Sequence, residues 1–535
     1  MLQCCNQDMG HVLCRERSSI ALPTRLIQVD GPKSVRLVIT ASTFSTAFPS
    51  SRYLCLSHRW GSPQPLRTTN ENLSEFLNEI PWASLPKIFQ DTISLTYQLG
   101  VKFLWIDSLC IIQDDVGDWR HEGSRMANIF ENSYLTISAT HSEASASSLS
   151  SSAPPALATY THNLGETTYF NRETTEAIIR PWHAHLFADY VCTKPLPLFD
   201  RAWVFQEWLL SPRVVHFCSN EVIWVCQTIA RCECNRPLDE DEESVLRGLP
   251  EGKNGVIFEP HEMWHRIVSE YSERQLTFED DVFPALQGSA NWFYTTKLLP
   301  TFAQSQSLAN LQGSQPRYLA GLWSHSLVHD LLWFRRSLPA STGDPNATTR
   351  PKHWRAPSWS WASITRGVRW PIVRKAGSTT FTKVAKVQAS TLPVGDDQFG
   401  QLQSGQLVIE GPCLDIGISG RWRQRSRWYE SEPDVIFASS AYWNTANSTR
   451  IMLDDDGLTH QICTSGAELQ MCIMLVAQIQ VGYFTTYYYL IFRRNDETYN
   501  FERIGLATMR ADVDEDRGII TPYYGTHKTS RLTII

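Results

Sequence analysis

Short apolar runs alternate with helical patterns in the first third of the chain. Three segments are apolar but too short for helices, which predicts buried strands. They lie at 52–61, 101–112 and 134–140. From 84 to 100 the apolar residues recur at helical spacing, and Gly100 stands just past the last of them. With one more helix before residue 134, the pattern predicts strand, helix, strand, helix, strand.

This order of elements is typical of an α/β fold with a mostly parallel sheet and flanking helices. Ligands of such sheets usually bind beyond the carboxyl ends of the strands. The polar residues Ser57 to Gly61 follow the first predicted strand, and Asp107 and Ser108 interrupt the second. We therefore expect these residues at one edge of the sheet.

The patterns change along the rest of the chain, and they predict four regions. An N-terminal extension (1–52) precedes the α/β domain (53–207), which contains a low-complexity Ser/Ala/Pro insertion at 142–158. A mixed, largely helical extension (208–365) and a β-rich C-terminal region (366–535) follow. The long uncharged stretch at 469–492 is interrupted by Gln, Gly and Thr, so soluble strands explain it better than a membrane helix.

Composition excludes several classes of protein. The chain has 535 residues, of which 42% are hydrophobic and 19% charged, as expected of a globular protein with more than one domain. The net charge of -7 and the absence of a Lys/Arg cluster argue against nucleic-acid binding. The N-terminus lacks the apolar core of a signal peptide, so we expect a cytoplasmic protein without a membrane anchor.

Thirteen cysteines in such a chain are expected to be reduced thiols. The closest approach to a metal motif is Cys218, Cys226, Cys232 and Cys234, which lack paired CxxC spacing. Because Cys218 and Cys226 fall in apolar runs, packing explains them better than zinc, and we predict no metal site.

One carboxylate falls on an apolar helical stripe. In the helix before residue 134, Trp119, Glu122, Met126, Ile129 and Ser133 follow one another at spacings of three and four. Glu122 should therefore face inward with them. The alternative is a structural role, in which a Glu in the first helical turn complements the helix dipole and pairs with Arg125 three residues later.

Six collinear blocks between residues 22 and 363 resemble the fungal heterokaryon incompatibility (HET) domain proteins. They read LPTRLIQV, YLCLSHRWG, LPKIFQDTISLTYQLGVKFLWIDSLCIIQDD with DWRHEGSRMANIFENSYLTISA, DRAWVFQEWLLSPRVVHF, YLAGLW and RAPSWSWAS. The resemblance implies a cytosolic protein of allorecognition or innate immunity that triggers programmed cell death.

HET domains more distantly resemble TIR domains. The segment LSHRWG is similar to the first TIR box, and DWRHE is similar to the Trp-x-x-Glu motif that carries the NAD-cleaving glutamate. The resemblance implies a TIR-like fold, NAD as a possible substrate with no resident cofactor, and Glu122 as the catalytic residue. A carboxylate in that position suits N-glycosidic cleavage because it stabilises the oxocarbenium-like charge.

Six further residues are candidates for binding the substrate: Ser57, Arg59, Trp60, Asp107, Ser108 and Trp119. Three of them also have a structural explanation, since Asp107 and Ser108 can cap a turn and an exposed Arg59 needs no ligand. Arg201 and Glu207 border the same region or form a structural ion pair, and we favour the ion pair.

Two functions from different classes remain open. The first is an enzyme that hydrolyses NAD-type dinucleotides. The second is a non-enzymatic module that signals by assembling with other allorecognition or death-pathway proteins, or with copies of itself as a homo-oligomer. A fold alone does not choose between them.

Overall fold

The structure is a computed structural model that describes most of the chain in two compact units, Met1–Gly255 and Val256–Ile535. The described residues are 1–7, 11, 14, 22–43, 52–61, 64–142, 148–149, 158–160, 177–179, 196–218, 221–233, 259–305, 315–336, 349–365, 367–371, 379–423, 432–437, 450–465, 468–482, 484–495, 498–512 and 528–535. Among these residues, none of the helices is both long and apolar enough to cross a membrane.

The first unit is built around an eight-stranded sheet. Its strands are β1 (Arg25–Gly31), β2 (Ser34–Ile39), β3 (Tyr53–Ser57), β4 (Phe103–Trp105), β5 (Leu135–Ser138), β8 (Arg213–Phe217), β9 (Val222–Cys226) and β10 (Ala230–Cys232). A separate two-stranded pair consists of β6 (Ala158–Tyr160) and β7 (Ala177–Ile179). The order across the large sheet is β10, β9, β8, β5, β3, β4, β1, β2.

The sheet is mixed, which corrects the prediction of a mostly parallel one. Its centre is parallel, because β3 pairs in parallel with β4 and β5, and β5 pairs in parallel with β8. At both edges the pairing is antiparallel, between β1 and its neighbours and from β8 to β10. The alternation of strands and helices, from which a parallel sheet was predicted, extends only from β3 to β5. The connections between β1 and β2 and between β8 and β9 have too few residues for a crossover, so only antiparallel pairing is open to these strands.

Helices flank this sheet. They are α1 (Leu2–Gln7), α2 (Thr40–Thr43), α3 (Leu73–Asn78), α4 (Lys87–Gln98), α5 (Asp107–Cys110), α6 (Val116–Glu131) and α7 (Ala202–Leu210). Among them, α4 and α6 lie where the pattern predicted helices, whereas α5 occupies the second half of the run 101–112, for which a strand was predicted. The pattern placed Ser84 as a possible N-cap and Pro86 in the first turn, whereas Pro86 is the N-cap and α4 begins at Lys87. As predicted, α4 ends just before Gly100, whose φ of 70° lies in the left-handed region that favours glycine.

The core of the first unit lies between the central strands and the helices α4 and α6. Tyr53, Leu104 and Trp105 of the strands are fully buried. The helices contribute further buried side chains to the same cluster: Ile88, Phe89 and Ile93 from α4, and Met126, Ile129 and Phe130 from α6. The carboxyl ends of the central strands are therefore held on a rigid, well-packed base.

Two residues of the low-complexity run at 142–158 also join this core. Leu149 is buried in the same cluster, and Ser148 donates a hydrogen bond of 2.6 Å to Asp91 of α4. The backbone N–H of Leu149 donates to the same carboxylate at 3.2 Å. The Ser/Ala/Pro composition of the run predicts little apolar surface to bury, but Ser148 and Leu149 anchor it to the core. Most of the rest of the run lies outside the described residues.

The second unit combines helices with a nine-stranded sheet. Its helices are α8 (Pro260–Tyr271), α9 (Pro284–Phe293), α10 (Leu299–Ser305), α11 (Leu327–Asp330) and α12 (Asp456–Ser465). Two short pairs are formed by β11 (Tyr318–Leu319) with β12 (Leu322–Trp323), and by β13 (Phe334–Arg335) with β14 (Val368–Arg369).

The C-terminal region is rich in strands, as predicted. The large sheet contains β15 (Thr379–Lys383), β16 (Lys386–Pro393), β17 (Leu402–Arg423), β18 (Glu432–Phe437), β19 (Arg450–Leu453), β20 (Leu469–Val481), β21 (Phe484–Arg494), β22 (Phe501–Asp512) and β23 (Lys528–Ile534). The uncharged stretch at 469–492 thus forms β20 and β21, as its interrupted pattern indicated.

One pair of cysteines departs from the prediction of reduced thiols. Cys413 of β17 and Cys472 of β20 form a disulfide between two hydrogen-bonded neighbouring strands. Nine further cysteines among the described residues are free. Because Cys413 and Cys472 are distant in sequence, no local motif signals that they form a disulfide.

A buried arginine connects several segments of the second unit. Arg503 of β22 is fully buried, and its Nε lies 3.2 Å from Oδ2 of the equally buried Asp454. The same guanidinium donates to the carbonyl oxygens of Leu331 and Trp333 at 2.6 and 2.5 Å, and it lies 3.5 Å from the centre of the Trp333 ring. All three guanidinium nitrogens therefore donate hydrogen bonds, and the group also stacks on the ring of Trp333.

Candidate functional site

Polar side chains meet at the carboxyl ends of β3 and β4, where the sequence placed them. Trp60, just after β3, donates from Nε1 to Oδ2 of Asp107 at 2.8 Å. The other oxygen of Asp107 accepts from the backbone N–H of Ser108 at 2.7 Å. Asp107 is the first residue of α5, whose N-cap is Ile106 without a side-chain capping bond, so the capping explanation does not hold. Its carboxylate instead holds the backbone of Ser108 and anchors the loop after β3.

A second carboxylate, Glu207 of α7, enters the same edge of the sheet. Ser57, the buried last residue of β3, donates from Oγ to Oε2 of Glu207 at 2.5 Å. Arg201, just before α7, donates to the backbone carbonyl of His58 at 2.8 Å. We call these six residues the strand-end cluster: Ser57, His58, Trp60, Asp107, Arg201 and Glu207.

Burial sets the protonation of this cluster. Removal from water raises the pKa of Glu207 to about 7, against the opposing influence of Arg201 and of the hydrogen bond from Ser57. Burial lowers the pKa of His58 to about 4, although Asp107 opposes the shift. Neither ring nitrogen of His58 has a hydrogen-bond partner among the described residues. At neutral pH His58 is therefore neutral, and Glu207 holds a proton far more readily than an exposed glutamate.

Glu207 should make stability depend on pH. Below about pH 4.5, its ordinary pKa, both the folded and the unfolded protein carry the proton. Between pH 4.5 and about 7 only the folded protein keeps it, so its contribution to the free energy of unfolding decreases as pH rises. A shift of this size corresponds to as much as about 3 kcal/mol.

Glu207→Gln should therefore flatten the pH dependence of denaturant unfolding across this window. Ser57→Ala is the matched control, because it removes a hydrogen bond that lowers the pKa of Glu207 and should extend the decrease to higher pH. Parallel pH curves for wild type and Glu207→Gln would contradict the assignment.

Glu122 lies inside the first unit on α6. Asp115 caps this helix by accepting from the N–H groups of Gly117 and Asp118. Glu122 is the seventh residue of the helix, beyond the first turn, so the explanation by the helix dipole does not hold. Its side chain is fully buried, in the stripe that also contains Met126 and Ile129. The prediction that Glu122 faces inward is confirmed.

The two oxygens of Glu122 have different surroundings. Oε1 accepts a hydrogen bond from Thr24 and lies 3.4 Å from the guanidinium of Arg125. Arg125 also donates to Oγ1 of Thr24 at 2.9 Å and to the carbonyl of Leu22 at 2.8 Å. The predicted pairing with Arg125 is thus present, and it ties residues 22–24 to α6. Oε2 is buried and has no hydrogen-bond partner among the described residues.

Trp119 does not share the buried face. Its ring is 40% exposed and meets the ring of Trp203 edge-on, with the centroids 6.4 Å apart. The inward stripe therefore begins at Glu122 and not at Trp119. Arg59 is half-buried next to the strand-end cluster.

The buried thiol of Cys110 is influenced by both Asp107 and Glu122. Burial raises its pKa to about 12, and the charges of Glu122 and Asp107 both act in the same direction. Both carboxylates are thus close enough to act on one group, although no direct contact joins Glu122 to Asp107 within the described residues. The structure places Ser57, Trp60, Asp107 and Ser108 together, with Glu122 on the neighbouring helix.

Sequence reasoning missed the importance of His58 and Glu207. His58 lies in the segment LSHRWG, but only its neighbours Ser57, Arg59 and Trp60 were named as candidates, and for Glu207 an ion pair with Arg201 was the favoured explanation. The available signal was the apolar character of α7, in which eight of nine residues from Ala202 to Leu210 are buried. A charged residue inside a helix that is apolar all round must find a partner in the core.

Comparison with known proteins gives one match, which covers part of the chain. Residues 53–207 match the family model described as heterokaryon incompatibility protein (HET). The matched span runs from the first residue of β3 to Glu207 and so contains every candidate residue named above. No curated protein and no solved structure matches the chain. The likeness to TIR domains therefore rests on the sequence motifs alone.

Proposed function

We propose, from the premise that residues 53–207 are a HET domain, that the chain acts in heterokaryon incompatibility and triggers the death of fused, incompatible fungal cells. We further propose that the HET domain kills by hydrolysing NAD-type dinucleotides. NAD is the substrate in this proposal, and the chemistry requires no resident cofactor.

The observation that supports hydrolysis is the unpartnered oxygen of Glu122. Buried carboxylate oxygens almost always accept hydrogen bonds, because an unsatisfied one costs about 1–3 kcal/mol or more. Oε2 of Glu122 accepts none from the described residues, while Oε1 is held by Thr24. A carboxylate fixed at one oxygen and unsatisfied at the other is suited to binding ribose hydroxyls.

The reaction needs few groups. The bond between ribose C1′ and the nicotinamide nitrogen breaks, and its electron pair neutralises the positive charge of the pyridinium ring. Glu122 stabilises the oxocarbenium-like ribose, and water adds at C1′ and releases a proton to solvent. We assign substrate binding to five residues at and beside the strand-end cluster: Ser57, Arg59, Trp60, Asp107 and Ser108. The exposed face of Trp119 would stack against a base.

The burial of Glu122 adds a requirement. A fully covered carboxylate reaches a substrate only if residues 22–24, which cover Oε1, move away from α6. Assembly into a homo-oligomer or contact with an allorecognition partner would supply that step, and the protein would then be inactive until triggered. Activity should therefore increase with protein concentration if assembly is the trigger.

The direct test is to incubate the purified full chain with NAD over a range of protein concentrations and to measure released nicotinamide and ADP-ribose. In cells, NAD content should decrease before viability is lost. Death without loss of NAD, together with no product at any protein concentration, would reject hydrolysis. The non-enzymatic signalling module would then be the better explanation of the same HET domain.

A further inference from the structure

Four metal-binding side chains meet in the first unit, away from the residues assigned to NAD. They are Cys5, His11, Cys14 and Cys226, and their candidate ligand atoms all lie within 4.8 Å of one another. Each side chain is at most 5% exposed. Cys5 belongs to α1, His11 and Cys14 follow it, and Cys226 ends β9.

The distances fit a tetrahedral metal site. Nδ1 of His11 lies 3.6 Å from Sγ of Cys14 and 3.5 Å from Sγ of Cys226. Zinc binds Cys sulfur at about 2.3 Å and His nitrogen at about 2.0–2.1 Å, so a tetrahedron places the nitrogen about 3.5 Å from each sulfur. Both measured nitrogen–sulfur distances thus agree with the distance between two ligand atoms of a tetrahedral zinc site.

The groups around the sulfurs suit thiolates. The hydroxyl of Thr228 lies 3.5 Å from Sγ of Cys14, and the backbone N–H of Ile229 donates to Sγ of Cys226 at 3.5 Å. Donors of this kind orient metal-bound thiolates and stabilise their negative charge.

A buried arginine supplies the balancing charge. Three thiolates, a neutral imidazole and Zn²⁺ together carry one negative charge. Arg213 of β8 is only 3% exposed, lies beside Cys5, and donates to the backbone carbonyls of Cys14 and Tyr134. A buried guanidinium is costly without a negative partner, and the metal site would provide one.

We propose that Cys5, His11, Cys14 and Cys226 form a structural zinc site that fastens the N-terminal segment to β9. All four positions are filled by protein, which distinguishes a structural site from a catalytic one. In the sequence, Cys226 stands near Cys218, Cys232 and Cys234 without paired CxxC spacing, which predicted no metal site. His11 and Cys226 are separated by 215 positions, a spacing that no local motif reveals. The site goes beyond the proposed hydrolysis and does not depend on it.

The test is metal analysis of the full chain purified without added chelator. We expect one zinc per chain by elemental analysis, released when the three thiols are titrated with a mercurial. After exchange with Co²⁺, the protein should show the visible d–d bands of a tetrahedral site and sulfur-to-cobalt charge-transfer bands. A chain with no stoichiometric zinc that also fails to bind added Zn²⁺ or Co²⁺ would overturn the proposal, as would a disulfide between two of the three cysteines in freshly purified protein.

Variants separate coordination from packing. Cys14→Ser should lose the zinc and lower the melting temperature by at least roughly 5 °C. Cys4→Ser is the matched control, because Cys4 is exposed and adjacent to Cys5 but outside the cluster. If Cys14→Ser does not fold, His11→Cys and His11→Ala replace it: the first keeps four ligands and should retain zinc, and the second should lose it. Equal zinc content in His11→Ala and wild type would reject the site.

Discussion

Glu122→Gln is expected to fold normally and to lose NAD cleavage by two or more orders of magnitude. The amide matches the carboxylate in size, and its oxygen still accepts the hydrogen bond from Thr24. What is lost is the negative charge opposite the developing oxocarbenium ion, and removal of one such contact typically costs about 10²–10³ in rate. The measurements are nicotinamide release by the purified protein and NAD content in cells, with killing expected to decrease in parallel.

The structural role of Glu122 requires its own control. Arg125 makes the other contacts that hold Leu22 and Thr24 against α6, so Arg125→Gln disturbs the same attachment without changing the carboxylate. If Glu122 acts on the substrate, Arg125→Gln should keep its activity or gain some, because residues 22–24 are released more easily. Equal losses in the two variants would show that Glu122 serves only to hold the N-terminal segment.

Arg503→Met is expected to destabilise the second unit by about 3–5 kcal/mol, the usual cost of leaving a buried charge without its partner. The substitution abandons Asp454 together with the carbonyl oxygens of Leu331 and Trp333. Burial already raises the pKa of Asp454 while Arg503 holds it down, so the isolated carboxyl should take up a proton. Chemical denaturation of the full chain should show an earlier transition for this unit.

A double variant tests the cause. Arg503→Met with Asp454→Leu removes both charges and should recover most of the lost free energy of unfolding, because an apolar pair of similar volume often replaces a buried ion pair at little cost. If the double variant is as unstable as Arg503→Met alone, the guanidinium stabilises the fold mainly through Trp333 and the two carbonyl oxygens.

Local signals in the sequence predicted the elements of the central sheet. The end of α4 was predictable because Gly100 acts on its own part of the backbone, and Pro86 located the start of the helix to within one turn. The burial of Glu122 was predictable because helical spacing fixes which residues share a face. Both inferences use contacts between residues close in sequence.

Pairing over long distances was not predictable in the same way. Periodicity identifies a strand but does not say which strand lies next to it, so the antiparallel edges of the sheet were missed. Ser57 and Glu207 are 150 positions apart, and their hydrogen bond exists only because α7 returns to the end of β3. The exposure of Trp119 depends on what covers the start of α6, which no spacing within the helix determines.

The strand order of the first sheet has a consequence for synthesis on the ribosome. The hairpin β1–β2 emerges first and is local, but its partner β4 follows about 70 residues later, and β8 to β10 close the other side more than 70 residues after β5. The strands on both sides of β3 therefore pair only as later segments are synthesised. The side formed by β8 to β10 cannot pair until residues beyond 207 have left the exit tunnel. The span matched by the HET family is therefore shorter than the unit that folds. A fragment cut at residues 53 and 207 would expose β4 on one side and β5 on the other, which are unpaired strand edges of the kind that aggregate.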